Sequence, residues 1–122
     1  MEFGVPVWGS AITKTQSDEL ERIQKRALRL ILYPSSLSYT QQLTRFGLPS
    51  LCKRRVDLIS CFGLGLLKSQ RHRDILPPIR QSVSRHSSTL RNAHLLDLPR
   101  CRTQRYKNST VPYVTALLNA AL

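Results

Sequence analysis

Apolar positions recur at the three-and-four spacing of an α-helix most clearly between residues 13 and 32. Leu20, Ile23, Ala27, Leu30 and Ile31 form one stripe, and Arg22, Lys25, Arg26 and Arg29 repeat the same spacing opposite it. The segment therefore reads as an amphipathic helix with one apolar and one cationic face. Thr13 followed three residues later by Gln16 is a capping box, and Asp18, Glu19 and Glu21 precede the cations, as the helix macrodipole favours. Asp18 with Arg22 and Glu21 with Lys25 stand at i,i+4, two pairs worth together less than about 1 kcal/mol.

The same reading predicts a short helix over Tyr39–Phe46, capped by Ser38 and ended by Gly47. A second long helix follows Ser50 over roughly 51–69, with Leu51, Arg55, Leu58, Ile59, Phe62 and Leu66 in register. Gly63 and Gly65 lie inside it; each costs about 1 kcal/mol relative to Ala, which makes the last turns the weakest, and close helix packing is the plain reason for them. A last helix begins after Asn108 or Ser109, with Pro112 in its first turn and Val114, Leu117, Leu118 and Ala121 on one side. Residues 2–10 are apolar but broken by Gly4, Pro6 and Gly9, too short to close a core alone, with Trp8 as the expected buried plug. From Gln70 to about Arg105, Pro77, Pro78, Ser82, Ser84, Ser87 and Ser88 replace periodicity, and the segment reads as an irregular linker or a binding segment held by something outside the chain. The expected fold is all-α: a helical region over 1–69, a basic irregular segment over 70–107 and a C-terminal helix over 108–122.

Charge changes the picture. Nineteen Lys and Arg against seven Asp and Glu give a net charge of +12 in 122 residues, enough for one small domain at most, and imply an anionic partner. Fourteen of the cations are Arg, whose planar donor fork suits phosphates and stacks on bases. Ten Lys and Arg fall between Lys68 and Lys107, against Asp74 and Asp97 alone. A membrane partner is not expected: no apolar run is long enough to span, no secretory signal opens the chain, and the apolar stripe at 20–31 lacks Trp and Phe anchors. Cys52, Cys61 and Cys101 are odd in number and far apart, which indicates a reducing compartment rather than a disulfide framework.

The acids are scattered and include no Asp-Asp pair, so two-metal polymerase or nuclease chemistry is not expected, and no catalytic residue, metal or cofactor is assigned. Gly63-Leu64-Gly65-Leu66-Leu67-Lys68-Ser69 lacks the Gly before Lys that a phosphate loop needs. His72, His86 and His94 with Cys101 match no zinc spacing. Asn108-Ser109-Thr110 reads as a helix cap rather than a glycan acceptor. What remains are three basic clusters: Arg22, Lys25, Arg26 and Arg29; Lys53 and Arg54; and Arg100, Arg102, Arg105 and Lys107 with Tyr106. Their cations can neutralise phosphates and Tyr106 can stack on a base. Arg55, on the apolar side of its helix, is expected to be buried against a carboxylate.

Several blocks carry a family resemblance. Phe3-Gly4-Val5-Pro6-Val7-Trp8-Gly9, Leu20 to Arg29, and Leu48-Pro49-Ser50-Leu51 with Arg54-Arg55 resemble, in order, the region after the catalytic palm of non-LTR (LINE-type) retrotransposon reverse transcriptases. Arg91-Asn92, Pro99 to Thr103, Arg105 to Ser109 and Val111-Pro112-Tyr113 resemble the C-terminus of such polyproteins. The resemblance implies a thumb and post-thumb module, without the palm and its aspartates, that grips RNA or an RNA–DNA hybrid. It equally implies a remnant whose apolar faces dock on the missing palm or on a second copy, and a nuclear or cytoplasmic setting.

Overall fold

The computed structural model describes residues 3–34, 36–80 and 94–121. Ser82, Ser84, His86, Ser87, Ser88 and the Arg91-Asn92 block lie outside the described residues. The described chain is all-α: α1 (Val5–Trp8), α2 (Lys14–Ile31), α3 (Tyr39–Phe46), α4 (Leu51–Lys68), a 3-10 turn (Arg73–Ile75), α5 (Gln104–Lys107) and α6 (Thr110–Ala121).

Local chemistry sets most of these boundaries. Thr13 Oγ1 accepts from the Gln16 N–H at 3.3 Å while Gln16 Oε1 accepts from the Thr13 N–H at 2.9 Å, the reciprocal capping box that opens α2. Ser38 and Gln41 repeat it at the start of α3. Gly47 ends α3 at φ 62°, a left-handed conformation that glycine adopts without a Cβ penalty. Ser50 Oγ accepts from the Lys53 N–H at 3.3 Å to cap α4.

The core forms around α4, on which α1, α2, α6 and the 3-10 turn all pack. Val5, Ile59, Leu66, Leu76, Leu96, Val114 and Leu118 form one buried cluster. Helix α4 continues unbroken through both glycines to Lys68. A Cβ built on Gly63 would stand 2.7 Å from Val114 Cγ1 and 3.3 Å from Leu118, so the close approach of α6 is what this glycine permits. Gly65 has nothing within 4 Å.

Four expectations need correction. Val5, not Trp8, is the plug: Val5 is buried, whereas Trp8 only packs against the cluster and its indole N–H donates to the Phe3 carbonyl at 2.9 Å. On α4, Phe62 is exposed and Gly63 takes the buried position beside it. On α2 the buried residue is Leu28, while Ile23, Leu30 and Ile31 are exposed by 55%, 73% and 67%. The helix meets α4 through the side carrying Ser17, Leu20 and Glu21, so most of its apolar stripe has no partner in the described chain. Finally, the described parts of the segment over 70–107, residues 70–80 and 94–107, are held by the chain itself. Leu76 and Leu96 enter the core, Ile79 and Leu96 form an antiparallel bridge, and Asn119 of α6 brackets Leu96. The Leu96 N–H donates to Asn119 Oδ1 at 2.9 Å, and Asn119 Nδ2 donates to the Leu96 carbonyl at 3.0 Å. Thr103 caps α5 inside the same segment, with its hydroxyl accepting from the Tyr106 N–H. At the start of α6, the Ser109 carbonyl accepts from the Tyr113 N–H, while its hydroxyl donates back to the Tyr106 carbonyl.

Candidate nucleic-acid interface

The α2 surface is built from three stripes rather than two. One packs, one is apolar and exposed, and one carries Arg22, Lys25, Arg26 and Arg29, all exposed. A rigid 18-residue helix rises about 1.5 Å per residue and returns to the same face every three or four positions, so these cations stand in a row on one side. Neither expected i,i+4 pair closes, whereas Arg80 and Asp97 do form an ion pair, at 3.7 Å. The row therefore faces solvent with its charge uncancelled by any acid among the described residues.

Glu21 shows why. It turns away from Lys25 and accepts from the Leu51 N–H at 3.1 Å, and also from the Tyr39 hydroxyl. A carboxylate on the first free N–H of α4 meets the positive end of that helix, a favourable placement for an anion. One side chain thus ties α2 to both α3 and α4. Burial of the Tyr39 phenol, reinforced by the hydrogen bond and negative charge of Glu21, pushes its pKa well above the ordinary value near 10. Lys25 Nζ in turn stands 5.9 Å from the centroid of the Tyr39 ring, a cation–π contact that restrains one member of the row.

The tether also decides which clusters meet. Lys53 and Arg54 occupy the first turn of α4, beside the Leu51 N–H that Glu21 holds, and both are exposed. The first two clusters therefore belong to the two helices that Glu21 joins, with Arg54 on the flank of α4 beside Leu20. Arg100, Arg102, Arg105, Tyr106 and Lys107 are exposed as well, but α5 packs on α6, so they are presented from a different element and are not placed on those two helices. Arg55 is buried as expected, yet its guanidinium donates to Ser17 Oγ instead of pairing with a carboxylate. Sequence reasoning missed Glu21 and Tyr39 because their hydrogen bonds span 18 and 30 residues; the residues three and four away from Glu21 on its helix are Ser17, Asp18, Gln24 and Lys25, which give no local sign of a packed side.

No three His, Cys, Asp or Glu among the described residues lie where they could hold a metal ion. Cys52 and Cys61 are exposed free thiols. Among the described residues no helix is long and apolar enough to cross a membrane. The fold and surface define a small all-α protein with an exposed basic helix face. Comparison with protein-family models, with curated proteins and with solved structures finds no match.

Proposed function

We propose that this chain is a non-catalytic helical module that grips RNA or an RNA–DNA hybrid through its phosphates, in keeping with its resemblance to the region after the palm in non-LTR reverse transcriptases. The observation that carries the reading is the row of Arg22, Lys25, Arg26 and Arg29 along α2, exposed and without an acid partner among the described residues. Lys53 and Arg54, exposed in the first turn of the neighbouring α4, are the next cations that this reading assigns to the phosphates. An A-form duplex is recognised mainly by backbone and shape, so little sequence preference is expected.

A second reading has its own observation. The exposed Ile23, Leu30 and Ile31 form the kind of unpartnered stripe that marks a docking face, as a structural remnant of a retroelement would present to a palm domain or to a second copy. Sedimentation velocity separates the two. Phosphate gripping predicts a monomer that forms a complex with a short RNA–DNA hybrid at low salt and releases it at high salt. A chain that self-associates without nucleic acid, and ignores the hybrid, contradicts the first reading and supports the second.

A further inference from the structure

A cleft of about 420 Å³ lies between the start of α2, the first half of α4 and α6, and Ser10, Lys14, Ser17, Cys52, Arg55 and Tyr113 line it. Arg55 is its unusual member. The side chain is more than nine-tenths buried, and a guanidinium offers five N–H donors in a fixed fork. Its described partner is one neutral hydroxyl, that of Ser17. None of its other nitrogens is sealed from solvent without a partner, and of the two cavities that Arg55 lines, a small apolar one beside Leu20 and Leu58 and this cleft, the cleft is the one with polar neighbours for the spare donors. Burying a cation beside a hydroxyl alone is costly unless an anion completes the site.

The neighbours favour an anion of a particular kind. Lys14 adds a second positive charge, and Ser10 Oγ is buried with no hydrogen-bond partner. Glu21 also lines the cleft, but its carboxylate is occupied by the Leu51 N–H and the Tyr39 hydroxyl. Asp18 is exposed and forms no ion pair among the described residues. The donors of Arg55 and Lys14 with a free hydroxyl match the several acceptor oxygens of a phosphate better than those of a single carboxylate, and the two cations offset the charges of Asp18 and Glu21 on the same wall. The volume is that of a small-molecule site, roughly 300–1,000 Å³, and Ile59 and Tyr113 supply apolar wall. The geometry points to a second site, centred on Arg55 and Lys14, that takes the phosphate of a nucleotide-sized organic monophosphate.

Such a phosphate belongs either to a free nucleotide or to the 5′ end of a strand. Cys52 reports on both, because its exposed thiol lies at the cleft, while Cys61 is an exposed control on the same helix. Alkylation of the two thiols by iodoacetamide is followed by peptide mass mapping, with adenosine monophosphate, adenosine, or a short oligonucleotide with and without its 5′ phosphate. The oligonucleotides are tested on a chain whose Arg22, Lys25, Arg26 and Arg29 are all alanine, so that the outcome does not depend on the α2 row. Millimolar adenosine monophosphate, or the 5′-phosphorylated strand, is expected to slow alkylation of Cys52 severalfold and to leave Cys61 unchanged. Adenosine and the unphosphorylated strand leave both unchanged. Lys14→Gln, at an exposed position, is expected to weaken the protection about tenfold, the scale of one missing charge-assisted hydrogen bond. Absence of protection by either phosphate, equal protection by adenosine, or protection unaltered in Lys14→Gln would overturn the assignment.

Discussion

Replacing Arg22, Lys25, Arg26 and Arg29 together with alanine is expected to flatten the dependence of log K on log salt for RNA by roughly three units, about 0.7 to 0.9 for each phosphate no longer neutralised. The fold should survive the change. All four side chains are exposed, and alanine is the best helix former. Arg22 with Arg26 and Lys25 with Arg29 are like-charge pairs at i,i+4, whose removal is mildly favourable. Against this stands the Lys25 interaction with the Tyr39 ring, worth about 0.5–1 kcal/mol at an exposed site. Stability should therefore move by less than about 1 kcal/mol while the slope collapses. A slope unchanged in a folded variant would remove the α2 row from the interface.

Two glycines on one helix are expected to respond to alanine with opposite signs. At Gly65 a Cβ meets nothing within 4 Å, so Gly65→Ala gains helix propensity, up to about 1 kcal/mol, or a rise of a few degrees in Tm. At Gly63 the same methyl group would stand 2.7 Å from Val114 Cγ1, with both Leu118 methyls at 3.3 Å. Val114 and Leu118 are each 1% exposed, and valine is stiff at χ1, so relief requires α6 to move. Overpacking of this kind costs about 1–3 kcal/mol, which exceeds the propensity gained. Gly63→Ala should therefore lower the denaturation midpoint where Gly65→Ala raises it. Stabilisation by both would show that α6 does not pack on α4 as described.

These contrasts show what local pattern carries. Thr13, Ser38, Gly47 and Ser50 announce helix ends because a cap is satisfied by neighbours within a few residues, and those boundaries are legible in the sequence. The packed side of α2 is not. Periodicity finds a stripe of Leu20, Ile23, Ala27, Leu30 and Ile31, but nothing within it says that Glu21 will be drawn to Tyr39 and Leu51, turning another face inward. Leu76 and Leu96 are likewise not marked out from their apolar neighbours Ile75, Leu95 and Leu98, and what holds Leu96 in the core is Asn119, 23 residues further on. The candidate site divides in the same way. Which residues are cationic is plain from composition; that α4, with Lys53 and Arg54 in its first turn, is tied to α2 through Glu21 while α5 packs on α6 follows from packing alone.

The central claim is that polyphosphate lies along the exposed side of α2. Chemical-shift mapping of the full chain, titrated with a short RNA–DNA hybrid, tests it residue by residue. The expected result is that the largest changes fall on Arg22, Lys25, Arg26 and Arg29, with Lys53 and Arg54 next. Changes confined to residues 100–107, or none on α2 at saturating hybrid, would contradict it.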